Sequence, residues 1–344
     1  MAGTFRFSFG PWNIHEGADP FGPAVRGPVA FAEKLKLYKG LGFDGVQFHD
    51  DDAVPGLSNK TRDQIIQLAR EVRGMLEGEG LTAEFVAPRL WEDPRGIDGG
   101  YTSNDPACRA WARDRSRTAI DIANALGTRL IVLWLAREGT YIREAKDSKI
   151  AAERIVEAIN DMLDYDPAIK IAVEPKPNEP MDQAYIPTTG HALALGQLCS
   201  DPGRVGVNIE TAHVILTGLD PSDEMGFALA FDKLFTVHLN DQNGLKFDED
   251  KSFGSVDLRR AFNQVRILDR YDYGARGEFV GLDVKAMRTE SQAGVTQHLS
   301  NSREVFLTLL DLVRSLDNEK VEALIERPSY EALDLLIVKH LLSR

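Results

Sequence analysis

Cysteine is scarce in this chain of 344 residues: Cys108 and Cys199 are the only two. Thiols so few and so far apart fit neither a metal-ligand spacing nor a disulfide framework, and they suit a reducing compartment. Long apolar runs are missing as well. No stretch approaches the ~20 residues needed to cross a bilayer, and Met1-Ala2-Gly3-Thr4-Phe5-Arg6 opens no hydrophobic secretory core, so a cytoplasmic protein is expected. Basic runs do not occur either. Lys and Arg number 40 against 53 Asp and Glu, a net charge of −13, which makes nucleic acid and anionic membrane poor partners. Repeats, low-complexity segments and evident linkers are absent, which points to one folded unit. The 43% of hydrophobic residues is ample for a large core.

What is present alternates. Short, mostly apolar segments rich in β-branched and aromatic residues fit strands buried on both faces. They fall at residues 5–9, 45–48, 82–86, 129–134, 169–173, 205–209, 234–239 and 278–282. Amphipathic helical stretches lie between them, among others at 31–41, 62–77, 107–126, 149–162, 190–199 and 302–316, and Gly42, Gly80 and Gly127 follow three of these as C-caps. Eight strand–helix units predict an α/β fold, a single (β/α)8 TIM barrel, as a catalytic domain over residues 1–316. A short helical tail over 317–344 is not a separate domain; Leu333, Leu335, Leu336, Val338, Leu341 and Leu342 give it an apolar side for a neighbouring helix or another subunit. A doubly wound open sheet would need a Gly-rich phosphate turn after the first strand, and Phe9-Gly10-Pro11-Trp12 is not one.

The polar residues at the strand ends carry the chemistry. The run ending at Val173 stops in Glu174-Pro175-Lys176-Pro177-Asn178-Glu179-Pro180, because prolines cannot donate to a strand ladder. An acid and a base are left at the C-terminal lip, where a parallel barrel keeps its active site. The second strand delivers His49 with Asp50, Asp51 and Asp52; the sixth, Glu210 and His213; the seventh, His238 and Asn240 with Asp248 and Asp250 beyond; the eighth, Asp283 and Lys285. So many carboxylates in one cavity require cations. Oxygen-rich sites with one or two imidazoles suit Mg²⁺, Mn²⁺ or Co²⁺, one or two ions per subunit. Singly, each feature has an ordinary explanation: a solvated Glu-x-x-His pair, an acidic loop, a capping cluster, core tryptophans. Their co-occurrence at successive strand ends does not.

At these residues the chain resembles the xylose isomerases, metal-dependent aldose–ketose isomerases, from Phe7 to about Arg288. Phe48-His49-Asp50-Asp51-Asp52 is similar to the family segment carrying the ring-opening histidine and its aspartate. Glu174-Pro175-Lys176-Pro177-Asn178-Glu179-Pro180 is similar to the signature of a metal ligand plus the catalytic lysine. The run from Gly206 to His213, which includes Asn208 as a substrate-binding candidate, resembles the bridging glutamate and second-site histidine. Asp248 and Asp250 correspond to second-site aspartates, and Asp283 with Lys285 to the last first-site ligand and its lysine. Trp12 and Trp134 fall where the family walls the sugar, and Phe21 where a phenylalanine enters a neighbouring subunit's site. The resemblance therefore implies catalytic roles for His49, Asp52, Lys176 and Lys285, a sugar substrate and a homo-oligomer, dimer or tetramer.

Three departures stand out. His238 replaces a usual aspartate ligand, Trp91 replaces a pocket phenylalanine behind Ala87-Pro88-Arg89, and the C-terminal extension is short. An imidazole removes one negative charge from the first site and shifts preference from Mg²⁺ toward Mn²⁺, Co²⁺, Ni²⁺ or Zn²⁺. The quartet Glu174, Glu210, His238 and Asp283 also resembles the single-metal site of ketose epimerases, which work by proton transfer through an enediolate. The leading expectation is an aldose–ketose isomerase; the alternative is a ketose epimerase or keto-glycoside lyase. A non-catalytic sugar-binding barrel is disfavoured by Lys176, Lys285 and His49.

Overall fold

Eight parallel strands close into a barrel in the computed structural model, which describes residues 5–343. They are Phe7–Phe9, Gly45–His49, Thr82–Ala87, Leu130–Trp134, Lys170–Glu174, Val205–Glu210, Leu234–Leu239 and Val280–Leu282. Each pairs with the next, and the eighth closes on the first with Phe7 opposite Val280. The TIM barrel read from the sequence is the fold, with strand ends moved by at most two residues. Residues 1–4 and 344, inside the expected spans of barrel and tail, lie outside the described residues.

Alternation along the strands explains why both faces are buried. Phe7, Phe9, Val46, Phe48, Ile131, Leu133, Ile171 and Val173 face the surrounding helices and join the main core. Phe85, Ala87, Val132 and Ala172 form a second, smaller cluster. The lower barrel also holds buried polar side chains. Glu84 of the third strand accepts hydrogen bonds from Ser8 of the first and, at 2.6 Å, from Thr236 of the seventh, so its carboxyl group reaches across the barrel. Gln47 Nε2 donates to the same Ser8 hydroxyl at 3.1 Å.

The helices start and stop where local chemistry says they should. Thr61 and Gln64 form a reciprocal capping box ahead of Arg62–Gly78, worth about 1 kcal/mol. Gly127 takes φ +89° to end Pro106–Leu126, a conformation that an L side chain resists. Further helices not singled out from sequence are Thr211–Leu216, Pro221–Ala230 and Leu258–Arg270. Just past the fourth strand, the buried carboxylate of Glu138 accepts from the backbone of Gly100, Tyr101 and Thr102 and from the Thr102 hydroxyl, at 2.6–2.9 Å. It ties two loops of the barrel mouth together. Among the described residues no helix is long and apolar enough to cross a membrane.

The tail consists of Asn318–Glu326 and Tyr330–Leu341. Leu333, Leu336 and Leu341 pack on the core beside the buried Ile337. Leu335 and Leu342, expected on that same side, are turned outward and more than half exposed. The two face away because a helix presents one stripe and the barrel takes only that one.

The helix Gln297–Ser315 fixes the loop after the first strand: His298 Nε2 donates to the Asn13 carbonyl at 2.8 Å. Burial holds this imidazole down at about 4, against an ordinary 6.5. The folded state therefore favours the neutral ring, and its contribution is complete above pH 6.5 and lost as pH falls toward 4. The shift corresponds to about 3 kcal/mol. In urea titrations across that window, parent stability should fall by up to about 3 kcal/mol more than that of His298→Gln. Parallel curves would show that His298 is not the group responsible.

Candidate active site

His49 ends the second strand and caps the short helix Asp50–Ala53. Its backbone N–H donates to Asp52 Oδ2 at 3.2 Å, and its ring Nδ1 lies 2.8 Å from the same oxygen. Two guanidinium groups pair with the three aspartates here. Arg115 binds buried Asp50 through two bonds of 2.7 and 2.8 Å and reaches Asp51 at 3.2 Å. Arg89 pairs with Asp51 and Asp52 at 3.1–3.2 Å, and its Nη2 also touches His49 Nδ1. Burial would raise the Asp52 carboxyl, but the bond to His49 and the charge of Arg89 outweigh it and hold the group at about 2. Sequence reasoning noted Arg89 only as a pocket replacement and missed Arg115. Arg89 sits two residues past a strand end, a legible position, whereas Arg115 comes from mid-helix and carried no signal.

The expected metal ligands gather around Glu210. Three groups of potential ligand atoms, each within 4.8 Å of one another, share that carboxylate: Glu174–Glu210–His213, Glu210–His238–Asp283 and Glu210–Asp248–Asp250. His238 Nδ1 faces Glu174 (3.7 Å), Asp283 (3.9 Å) and Glu210 (4.0 Å). His213 Nε2 lies 3.2 Å from Glu210 and 3.3 Å from Asp248. Neutral amides trim the cluster. Asn208 donates to Glu174 at 2.7 Å, and Asn240 bridges Glu210 and Asp250 at 3.0 and 3.1 Å.

Burial, then the charges of Asp248, Asp250, Asp283 and Glu174, push the Glu210 carboxyl well up. Burial also opposes charge on Lys176, but the adjacent Asp248 carboxylate at 2.8 Å wins and raises it. Lys285, nearly half exposed, pairs with Asp250. Asp250 itself is held at φ 45° and Glu179 at φ 63°, local strain of the kind that clusters at functional sites. The ligand set fits a divalent ion on physical grounds. His213 Nδ1, both ring nitrogens of His238 and Asp248 Oδ1 are buried without a hydrogen-bond partner, a costly arrangement unless something coordinates them.

Aromatic rings gather beside His49 and Lys176. Trp12 packs on His49 at 4.3 Å between centroids and donates its indole N–H to Asp283 at 2.9 Å. Trp91 stands edge-on to His49 (5.1 Å) and to Trp134 (4.6 Å), and Lys176 Nζ sits 5.0 Å over the Trp134 ring. Phe21 is outside this group, 76% exposed on the rim against Phe247.

The sequence profile of the xylose isomerase-like TIM barrels matches residues 35–276. Among solved structures the fold is similar to 3-keto-D-glucoside 4-epimerase from E. coli in its apo form (TM-score 0.63, 15% identity, 89% of this chain and 100% of that one). It is also similar to a D-tagatose 3-epimerase-like protein (0.63, 16%, 92% and 99%). A third is D-psicose 3-epimerase with D-tagatose from Clostridium cellulolyticum H10 (0.60, 16%, 90% and 99%).

Removing the shared carboxylate relieves like-charge crowding and deletes the common ligand at once. Metal-free Glu210→Gln should therefore melt at or above the parent Tm. Excess Mn²⁺ should raise the parent Tm and leave the variant unmoved, as scanning fluorimetry with EDTA and then Mn²⁺ will read. Equal gains in both proteins would place the ion elsewhere.

Proposed function

The chain belongs to the xylose isomerase-like TIM-barrel family, and from that premise we propose that it is a divalent-metal-dependent sugar isomerase interconverting an aldose and a ketose. The observation that carries this reading is Glu210 as the shared vertex of overlapping ligand groups, with the buried ammonium of Lys176 beside them. Glu174, Glu210, His238 and Asp283 would hold one ion, and Glu210, His213, Asp248 and Asp250 a second. Such ions, preferably Mn²⁺ or Co²⁺, supply Lewis acidity toward carbonyl and hydroxyl oxygens.

The protein's own groups do the rest. Trp12, Trp91 and Trp134 offer flat apolar faces to the C–H side of a sugar and keep water from the reacting carbons. Lys176 donates to the oxygen that gains charge at C1. His49 Nδ1 has both an acceptor, Asp52, and a donor, Arg89, in contact. Protonated it donates to Asp52; bare it accepts from Arg89. Both tautomers are thus accommodated, and Nε2 can take a proton from the anomeric hydroxyl or give one to the ring oxygen. The exposed Phe21 would enter the pocket of a second copy in a dimer or tetramer.

A second reading, epimerisation or elimination through an enediolate, draws support from His238 and from the likeness of the barrel to sugar epimerases. Glu174 or Asp283 would be the base. The two readings part in D₂O. Turnover of an aldose–ketose panel by Mn²⁺- or Co²⁺-loaded enzyme should give product without solvent deuterium at carbon; deuterium there would favour the enediolate, and no interconversion with any ion would end the isomerase reading. Arg89→Met and His49→Asn should slow a cyclic aldose, His49→Asn by about 10²-fold. Both should leave open-chain glyceraldehyde within about twofold, because ring opening is the step they serve. Equal losses on both substrates would remove His49 from that role.

A further inference from the structure

A polar pocket inside the barrel lies against the imidazole of His238. Gln47 and Glu84 are buried, with Gln47 fully so, in an interior where parallel barrels ordinarily place branched apolar residues. Gln47 Nε2 donates to Ser8 Oγ at 3.1 Å, and Ser8 and Thr236 both donate to Glu84. Gly281 explains how the amide and the imidazole share this space. A Cβ there would stand 2.5 Å from Gln47 Nε2 and 3.1 Å from His238 Cδ2, so only glycine lets both side chains approach. Two buried atoms of the side chains that flank Gly281 are left without partners: the acceptor Gln47 Oε1 and the ring nitrogen His238 Nε2, which is bonded to Cδ2.

The two vacant valences match. His238 turns Nδ1 toward Glu174, Glu210 and Asp283, so a ring that ligates through Nδ1 carries its proton on Nε2. A buried N–H needs an acceptor, and a ligating histidine whose other nitrogen is held by an acceptor is better oriented and more basic. We propose that Gln47, supported by Glu84, is a positioning residue for His238: it accepts from Nε2–H, keeps Nδ1 toward the carboxylates, and so sets how tightly the Glu174–Glu210–His238–Asp283 group takes a divalent ion. This rests on the metal-dependent reading above. It also gives the unusual histidine a structural counterpart, since a carboxylate at that position would have no ring proton to place.

The test measures binding, not turnover. Co²⁺ is titrated into the full metal-free chain by calorimetry and by its visible absorption, which reports nitrogen ligation. Gln47→Met should weaken the tighter ion about 10–100-fold and change its absorption, with the weaker step moved less than about twofold. In a His238→Asp background the same Gln47→Met change should alter the tighter step less than about twofold, because the partner it acts through is gone. Unchanged affinity in Gln47→Met, or an undiminished loss in the His238→Asp background, overturns the proposal. If Gln47→Met does not fold, Glu84→Gln is read by the same two titrations against the same thresholds. A parent chain that binds no Co²⁺ or Mn²⁺ overturns the metal-dependent reading itself, and the proposal with it.

Discussion

Five carboxylates, those of Glu174, Glu210, Asp248, Asp250 and Asp283, are drawn into one barrel mouth within reach of only two ammonium groups, those of Lys176 and Lys285. Like charges at this separation in a buried setting oppose one another strongly, and Glu210, at the centre, shows it by its raised carboxyl. Lys176 and Lys285 offset only part of that crowding, through Asp248 and Asp250. Asn208 and Asn240 bring hydrogen bonds but no charge. A fold that keeps such a cluster sacrifices stability for a function requiring it, and the function that follows most directly is holding cations.

The barrel makes the crowding possible because its two ends do different work. Below, aromatic and branched side chains fill the space under the helices, and a hydrogen-bonded set around Glu84 reaches from the third strand to the first and seventh. Above, residues at or beside the strand ends project into the mouth. Glu174, Glu210 and Asp283 lie at or one residue past their strand ends and His238 one residue before its own. The register sets Glu210 directly opposite His238. Parallel strands in register place their ends at a common height, and loops tied by Glu138 are spared the task of holding ligands in position.

That regularity is why so much was legible from the amino-acid order. Mostly apolar runs of four to six residues marked all eight strands, and prolines marked where the fifth stopped, so a ligand immediately after a run could be assigned to the mouth. Legibility ended where long side chains reach in from elsewhere. Arg115 lies in the middle of a helix and finds Asp50 because that helix packs beside the short helix Asp50–Ala53. Asn208 and Trp12 were read as facing the sugar, yet each also hydrogen-bonds a carboxylate, Glu174 and Asp283 respectively. Spacing along the chain fixes which end of the barrel a residue occupies; which partner its side chain selects depends on rotamers and neighbours contributed by other strands.

His238 shows how one residue spreads its demands through such a site. An imidazole brings no negative charge to the group around Glu210. It is also a ring with two nitrogens, only one of which can face the ligand group. The other must be accommodated inside the barrel, where an unbonded N–H is costly. Space for it exists because Gly281 has no side chain, and polarity exists because Gln47, Ser8, Glu84 and Thr236 occupy positions usually given to branched apolar residues. The imidazole, the glycine and the polar pocket therefore fit one another: the ring at the mouth takes up the space and the polarity left beneath it.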